Sequence, residues 1–470
     1  MKSRILLLAS LGVVLVALPA AQSQAPVGDT FTFALTGDSI ITRRLSVYQE
    51  PRFLEMIKLI RGADAAFTNL EMLFHDYETY AMNESGGTYM RGEPALAKEL
   101  AWAGFDLVSM ANNHTGDYAP EAMRLTLKYV KEAGLVGAGT GESLPEAREP
   151  RFAETAKGRV ALISCASTFP DHSRAGHSRG SIPARPGLNP LRFTTTYVTT
   201  AEGLAALQAA LATAGHGGRG GGRGGAAGAA GAAAPGGRGA APQALTVFGT
   251  RVVVGDKPDV RTTPNQEDLE EIAAAVKSAT RLADYTIVTI HAHEGDRNRL
   301  LPAQFLVTFA RAMIDAGADI FVGHGPHVLR GIEIYKGKPI LYSLGDFIFQ
   351  NETLLRLPSE NYESYDLGPG AHVADFNDRR YSGDTRGFPA DPLIWESVVA
   401  MPRFRGRELV ELALYPISLG FKLPPSQRGR PMLADPELGK KILDDLIKLS
   451  APMGTTIVNR SGVGYVELKR

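Results

Sequence analysis

The chain has little cysteine and no excess of either charge. Its one cysteine, Cys165, stands in the apolar run VALISCAS, so we expect a buried small hydrophobe that cannot form a disulfide within the chain. Lys and Arg together number 50, and so do Asp and Glu, which gives a formal net charge of zero. The protein therefore has no overall field that attracts nucleic acid, and we expect no nucleic-acid partner.

Long apolar runs are also scarce, and the N-terminus has the only one. Lys2 and Arg4 precede an apolar run over residues 5–20, and small residues lead to a cleavage point after Ala25. This pattern predicts a secretory signal peptide over residues 1–25 and an exported protein, periplasmic or extracellular. The run is short for a membrane span, which needs about 20 residues; an uncleaved N-terminal anchor is the alternative.

Apolar side chains are almost absent from residues 212–242, where glycine, alanine and arginine dominate. Such a composition predicts a flexible insert with no core of its own. Its arginines resemble an RGG-type nucleic-acid segment, but no aromatic residue stands among them to stack on a base.

What the chain does have is an alternation of β-prone and helical segments from Phe31 onward. FTFALT, AAFTNLE and LVSMANN alternate with FLEMIKLIRGA, PALAKELAWAG and PEAMRLTLKYVKEAG. This order predicts an α/β fold with a largely parallel sheet and helices on both faces.

Further elements are predicted after the insert. Helices are predicted over NQEDLEEIAAAVKSATRLA and QFLVTFARAMIDAG. One strand each is predicted over YTIVTI, DIFVGHG and KPILYSLGDFIF. We expect residues 351–392 to form polar loops near a site, SVVAMPRFRGRELVELALYPISL to form an antiparallel hairpin, and residues 421–470 to form a helical tail.

Residues of the types that commonly bind metal ions stand at the ends of five apolar runs: Asp38, Glu71, Asn113 with His114, His291 with His293, and His324 with His327. The carboxyl ends of parallel strands open on one crevice, so these residues are predicted to meet there as a metal site. Taken singly, each has an ordinary interpretation as well: Asp38 fits a helix N-cap, TNLE a strand-end turn, and the His291–His293 pair one buried and one exposed histidine.

Six motifs occur in a fixed order between about Phe31 and Pro416. They are GDSIITR, TNLE, ANNHTGDYA, GLNPLR, the His291 segment and GHGPHVLRGIEIYKGKPILYSLGDFIF. They resemble the ordered motifs of the CapA-type family of poly-γ-glutamate capsule-synthesis proteins. The resemblance implies the calcineurin-like metallophosphoesterase fold, a four-layer α-β-β-α sandwich of two mixed sheets between helices, over residues 26–420.

The resemblance also implies roles for individual residues. Asp38, Glu71, Asn113 and His291 become the first candidates for ligands of one or two divalent ions (Mn, Fe or Zn), with His327, His293 and His324 as further candidates. His114 becomes a candidate general acid or phosphate contact, and Arg43 a candidate for binding an anionic group.

Three departures from the family pattern bear on the number of ions. Members often have His-Trp-Gly where this chain has His291-Ala292-His293, and His-Pro-His where it has Gly325-Pro326-His327. Asp346 stands where Asn is usual, and it either adds a ligand or caps a turn.

The resemblance implies a metal-dependent hydrolase or transferase of the metallophosphoesterase type. Its substrate would be an anionic polymer or a phosphoester, and its partners would be membrane-bound capsule-synthesis components. A non-catalytic polymer-binding or assembly component with a degenerate metal site is the alternative. A third class, an enzyme that cleaves peptidoglycan or γ-glutamyl amide bonds, would use the same activated water.

Overall fold

The computed structural model describes residues 30–214 and 243–468, which form a mixed α/β fold with several sheets. The predicted signal peptide, residues 1–25, lies outside the described residues, as do residues 215–242 of the glycine-rich insert. The predicted start of that insert is wrong by a few residues, because the helix Ala201–Thr213 continues through Ala212.

The larger sheet is mixed, and its central strand is Phe31–Ile40. This strand pairs in parallel with Ala65–Leu70 and Asp346–Phe349, and antiparallel with Glu396–Arg405. In spatial order the main path of the sheet is Ile457–Arg460, Val463–Val466, Glu408–Ser418, Glu396–Arg405, Phe31–Ile40, Ala65–Leu70, Leu107–Ser109 and Val136–Ala138, with Met432–Leu433 paired to Glu408–Ser418.

A second sheet of six strands is also mixed. Its spatial order is Ile332–Tyr335, Lys338–Leu341, Ile320–His324, Tyr285–His291, Gly158–Ala166 and Arg151–Thr155. A four-stranded sheet contains Ala244–Val247, Thr250–Val254, Phe193–Thr199 and Asp259–Pro264, and two short pairs join Gly187–Leu188 to Thr140–Gly141 and Leu73–Phe74 to Arg91–Gly92. The largely parallel single sheet expected from the alternation is thus replaced by two large mixed sheets.

Four α-helices were not predicted from the sequence, and two of them, Ser359–Glu363 and Val373–Tyr381, lie in the segment 351–392 that was expected to form loops. The other α-helices begin and end close to the predicted segments. The described residues form ten α-helices in all. They are Pro51–Arg61, Ala97–Ala103, Ala119–Glu132, Leu144–Arg148, Ala201–Thr213, Gln266–Ala279, Gln304–Asp315, Ser359–Glu363, Val373–Tyr381 and Pro436–Ser450. Local chemistry explains the boundaries: for example, Asn265 caps Gln266–Ala279 by accepting a hydrogen bond from the amide of Asp268. In the described part of the chain, no helix has both the length and the apolar character needed to cross a membrane.

The inner strands Phe31–Ile40, Ala65–Leu70, Tyr285–His291 and Ile320–His324 are buried on both faces, which explains their continuous apolar runs. In the central strand, Phe33 faces a core shared by both sheets, whereas its neighbour Ala34 faces the helices Pro51–Arg61 and Ala97–Ala103. In the second sheet, Ile287 faces the shared core, and Val288 belongs to a third core with the helices Gln266–Ala279 and Gln304–Asp315. The alternation of side chains along a strand therefore supplies three cores from two sheets.

The segment KPILYSLGDFIF was predicted as one strand, and this prediction is wrong. Lys338–Leu341 belongs to the second sheet, whereas Asp346–Phe349 belongs to the larger sheet. The chain crosses between the sheets at Gly345, whose φ of 69° is available to glycine at little cost. The crossing brings Asp346 beside Asp38, because the two residues pair in register.

Two predictions concern the C-terminal part of the chain. The predicted hairpin is confirmed, since Glu396–Arg405 and Glu408–Ser418 pair antiparallel around Gly406. The tail predicted as helical over residues 421–470 contains the helix Pro436–Ser450, but two strands of the larger sheet follow it.

Candidate metal centre

The carboxyl ends of parallel strands from both large sheets meet at one place. Asp38 stands in the larger sheet, where it pairs in register with Asn69 on one side and with Asp346 on the other. His291 ends a strand of the second sheet and pairs in register with His324. The predicted convergence of strand ends therefore occurs, but across two facing sheets.

The first ligand group, here called the deep group, consists of Asp38, His291 and His324, which are all buried. The Nδ1 atoms of His291 and His324 are 3.1 Å apart, and they lie 3.7 and 3.5 Å from Asp38 Oδ1. Neutral imidazole nitrogens and a carboxylate oxygen that converge at this range form a donor set suited to a divalent transition metal.

Neighbouring groups hold the deep group in place. Asn69 Nδ2 donates to Asp38 Oδ1 at 2.7 Å, and the amide of Gly325 donates to Asp38 Oδ2 at 2.8 Å. Thr289 Oγ1 lies 2.7 Å from His324 Nε2. Contacts of this kind orient ligand side chains and set the tautomer of a ligating histidine.

The second ligand group, here called the outer group, consists of Glu71, His293 and His327. His327 Nε2 lies 3.7 Å from Glu71 Oε1, and its Nδ1 lies 2.8 Å from Asp346 Oδ1. Asp38, Glu71, His327 and Asp346 also form a set whose ligand atoms lie within 4.8 Å of one another. The outer group therefore adjoins the deep group, and Asp38 borders both.

Several buried oxygens at the centre have no hydrogen-bond partner among the described residues. They are both carboxylate oxygens of Glu71, Oδ2 of Asp346 and the Oδ1 atoms of Asn69 and Asn113. A buried acceptor without a partner is costly, and native structures contain few of them. Because carboxylate and amide oxygens are ligands for divalent cations, the residues present fit a metal centre.

Burial shifts the pKa of the acidic group and of the imidazoles at the centre in opposite directions, and in each case it favours the neutral form. Burial, together with the nearby charge of Asp38, raises the pKa of Glu71 well above its usual value. Burial lowers the pKa of His291 and His293 well below that of free histidine and lowers the pKa of His324 to about 3. These three imidazoles are therefore neutral at physiological pH, which is the form that binds metal ions.

His327 behaves differently because carboxylates surround it. Burial alone would lower its pKa, but the charges of Asp346, Glu71 and Asp38 outweigh burial and raise it to about 10. Burial likewise raises the pKa of Asp346 to about 7, although His327 opposes that shift. Without a bound cation, a proton on His327 offsets part of the negative charge that a metal would otherwise balance.

His114 stands at the wall of the pocket above the outer group. Its Nε2 lies 3.8 Å from Glu71 Oε1, and its Nδ1 lies 2.7 Å from Asp117 Oδ2. Asp117 is itself held by the backbone amides of Gly86 and Met90. This chain of contacts fixes the ring so that Nε2 faces the metal-ligand cluster.

Asn113 is placed by an unusually close approach of two backbone segments. Its Nδ2 donates to the carbonyl oxygen of Gly86 at 2.9 Å, and its Oδ1 is one of the unpartnered oxygens. A Cβ on Gly86 would lie 2.4 Å from the carbonyl oxygen of Asn113, so only glycine fits there.

A pocket of about 300 Å³ opens above these residues. Its buried side, here called the floor, includes Glu71, and its more exposed side, here called the mouth, includes two arginines, Arg299 and Arg380. The complete lining is Ile40, Glu71, Gly86, Gly87, Thr88, Met90, Asn113, His114, His293, Arg299, Gly325, Pro326, His327, Phe349, Arg380 and Phe388. As expected, the segment 351–392 contributes to the entrance.

One predicted site residue is not brought to the centre. The guanidinium of Arg43 donates to the backbone carbonyls of Ser426 and Arg428, and Arg43 does not line the pocket. The structure thus places Arg43 as a link between two loops.

Three residues of the centre were absent from the predicted set. Asp346 was noted only as a possible ligand, and Asp117 stands three residues after His114 within the quoted motif ANNHTGDYA. Asn69 stands two residues before Glu71, so the strand alternation places both on one face. The motif positions were visible in the sequence, but the contacts that give these residues a role were not.

Comparisons with known proteins identify the family of the chain. The model of the family "Bacterial capsule synthesis protein PGA_cap" matches residues 32–351. The chain is 37% identical over 454 residues to "Uncharacterized protein y4sH" of Sinorhizobium fredii, with 94% of each chain covered.

Two relatives with assigned names are more distant. "Capsule biosynthesis protein CapA" of Bacillus anthracis is 25% identical over 63% of this chain and 53% of its own length. "PGA biosynthesis protein CapA" of Bacillus subtilis is 26% identical over 63% of this chain and 60% of its own length. The resemblance inferred from the motifs is confirmed: the chain belongs to the PGA_cap family of CapA-type bacterial capsule synthesis proteins.

Proposed function

We propose that the protein is an exported, divalent-metal-dependent hydrolase or transferase of the metallophosphoesterase type. It would act in the synthesis or attachment of an anionic, poly-γ-glutamate-like cell-surface polymer. The observation that carries this proposal is the meeting of ligand side chains from both large sheets around the unpartnered carboxylate oxygens of Glu71 and Asp346.

The proposal includes the four-layer α-β-β-α sandwich of that enzyme class. Three hydrophobic cores support it: one between helices and the larger sheet, one between the two large sheets, and one between the second sheet and its helices. Two facing sheets give each ligand group contributions from both sides, which a single sheet could not supply.

The ligands support two adjacent ions. The deep group would hold one ion through Asp38, His291 and His324, and the outer group would hold the other through Glu71, His293 and His327. Asp346 and the oxygen of Asn113 would complete the outer position. Mixed carboxylate and imidazole ligands suit Mn, Fe or Zn. When bound, such ions supply a Lewis acid and a water that is acidic near neutral pH.

The chain's own residues would contribute orientation and a proton. Asp117 accepts a hydrogen bond from His114 Nδ1, which leaves Nε2 directed toward the pocket, where it can protonate a leaving oxygen or nitrogen. The floor of the pocket is buried, so electrostatic interactions with a substrate are stronger there than in water.

The names of the relatives and the predicted signal peptide motivate the biological part of the proposal. Two relatives are named for capsule or PGA biosynthesis, which suggests an anionic polymer as substrate and membrane-bound synthesis components as partners. Export rests on the N-terminal pattern of residues 1–25 alone.

A non-catalytic role is the second candidate, and the family departures at Ala292 and Gly325 favour it. In that case the same residues would bind metal for stability or would hold polymer carboxylates without turnover. Both candidates bind a metal, so the presence of metal does not distinguish them. Only the enzyme would turn over a substrate.

The test combines metal analysis with a substrate screen. Purified protein is expected to retain one or two equivalents of a transition metal and to hydrolyse a phosphoester or a γ-glutamyl peptide. Asp38→Asn and His291→Ala should each lower kcat/KM by at least about 100-fold while the protein stays folded. The matched control is His177→Ala, because His177 is exposed and belongs to neither ligand group.

Each outcome separates the candidates. Bound metal without turnover on either substrate class would support the non-catalytic candidate. Turnover that survives both substitutions would show that the reaction takes place elsewhere. Hydrolysis restricted to γ-glutamyl peptides would assign the protein to the amide-cleaving class.

A further inference from the structure

We propose that Arg380 anchors an anionic oxygen group of the substrate at the mouth of the pocket, away from the bond that reacts. The anchored group would be a carboxylate or a phosphate, both of which a guanidinium binds in the same planar manner. This inference rests on the proposed function, since it assigns a substrate-binding role within the same pocket.

The first observation is the division of the pocket into two chemically different parts. The floor consists of carboxylates and imidazoles that would bind cations, whereas the mouth contains Arg299 and Arg380. A substrate with one group at the metals and a second negative group farther along would match both parts.

The second observation is how Arg380 is held. It stands in the last turn of the helix Val373–Tyr381, and its guanidinium donates to Thr88 Oγ1, which lies in another part of the wall. The guanidinium also lies over the ring of Phe388, 5.7 Å from the centroid, and Phe388 packs edge-on against His327 with ring centroids 5.4 Å apart. Packing therefore fixes the cation close to the outer ligand group.

The third observation distinguishes the two arginines by charge. Arg299 forms an ion pair with Asp391. In the described parts of the chain, residues 30–214 and 243–468, no carboxylate lies within ion-pair distance of Arg380. Its partners there are a hydroxyl group and aromatic rings. Arg380 thus keeps an uncompensated charge and free donors for an incoming anion.

The chemistry of a γ-linked glutamate chain fits this arrangement. Each unit of such a chain carries a carboxylate beside its backbone amide, so a neighbouring unit presents a negative group whenever one linkage reaches the metals. A phosphoester with a second phosphate would offer the same chemistry.

Binding measurements on the full-length, metal-loaded protein test the inference with tri-γ-glutamate, its tetraamide, in which all four carboxyl groups are amidated, and inorganic phosphate as probes. Arg380→Ala should weaken binding of tri-γ-glutamate about 10-fold or more, since a hydrogen-bonded charge contributes of that order. Arg380→Lys should restore part of the affinity, because it keeps the charge but loses the planar fork. Arg379→Ala is the matched control, because Arg379 is the exposed neighbour on the same helix and does not line the pocket.

One further result would identify the anchored anion, and another would overturn the inference. If phosphate rather than tri-γ-glutamate loses affinity in Arg380→Ala, the anchored group is a phosphate. Equal affinity of wild type and Arg380→Ala for both anions, or equal binding of the tetraamide and tri-γ-glutamate, would overturn the inference.

The proposed function can fail without the inference failing. If no substrate is turned over, the binding difference between Arg380→Ala and Arg379→Ala can still be measured. If turnover is found, Arg380→Ala should raise KM about 10-fold or more with kcat little changed. An unchanged KM would contradict the anchoring role while leaving the metal chemistry intact. Equal melting temperatures of the variants would exclude unfolding as the cause.

Discussion

At the scale of single residues, the centre depends on carboxylates that the protein alone does not satisfy. Glu71 has two buried oxygens without a partner among the described residues, and Asp346 has one. Burial raises the pKa of both groups, which means that the fold opposes their ionisation. A bound cation would lower the pKa of both carboxyl groups again, because a positive charge at contact distance favours the ionised form.

Replacement of Asp346 tests this account directly. Asp346→Asn keeps the shape of the side chain but removes the charge beside His327, so we expect the outer ion to bind about 10- to 100-fold more weakly. Competition with a metal-binding dye would measure the affinity of each ion. Asp256→Asn, on an exposed loop, is the control. Equal retention of both ions in Asp346→Asn would mean that Asp346 only orients the ring of His327.

Residue types and spacing were enough to predict most of the side chains that meet at the centre. Asp38, Glu71, Asn113, His291, His293, His324 and His327 were all expected at the centre, and the structure brings them together. Arg43 was expected there too, but its guanidinium binds backbone carbonyls of another loop. A side chain as long as arginine can turn either way from its strand, and its sequence position does not say which way.

At the scale of elements, the decisive feature is the crossing between the two large sheets. The chain leaves the second sheet after Leu341 and enters the larger sheet at Asp346. The amide of Asp38 donates to the carbonyl oxygen of Gly345 at 3.0 Å. At the same crossing, a Cβ on Gly37 would lie 1.8 Å from that oxygen. Close backbone contact at this point is therefore what sets the position of both aspartates.

A single methyl group should disrupt the crossing. We expect Gly37→Ala to lower the free energy of unfolding by more than about 3 kcal/mol, because the backbone around Gly345 must shift. Gly370→Ala, at a site with open space around the added atom, should change stability by less than about 1 kcal/mol. Urea unfolding followed by circular dichroism measures both variants. Similar midpoints for the two would show that the backbones can separate at little cost.

At the scale of the whole molecule, metal binding should connect the two sheets. Each ligand group takes residues from both: Asp38 from the larger sheet with His291 and His324 from the second, and Glu71 with His327. A ligand that binds only the folded state stabilises it, by about 2.7 kcal/mol when its free concentration is 100 times its Kd. The global stability of the protein should therefore depend on the metal.

Cys165 is a built-in reporter of that stability. Its thiol is fully buried in the second sheet, and burial raises the pKa of the thiol, so the folded protein should react slowly with a thiol reagent. Removing the metal with a chelator should accelerate labelling about 100-fold where the ion had been present at 100 times its Kd. In Asp38→Asn the chelator should have a much smaller effect. Labelling at one rate with and without chelator would separate metal binding from global stability.

The sequence by itself determined the local properties of this protein. Apolar periodicity predicted most of the longer helices and the doubly buried strands, and the polar residues after each strand predicted the candidate ligands, because both signals lie within a few neighbouring positions. The ordered motifs determined the family.

Only the tertiary structure decided how distant segments meet. It divided the predicted strand KPILYSLGDFIF between two sheets, paired Asp38 with Asp346 and placed Arg380 beside the pocket while Arg43 lies elsewhere. The physical reason is that register between strands and packing between layers depend on contacts far apart in the chain. Such contacts leave no local pattern, so residues with the same local environment in the sequence can finish inside or outside the site.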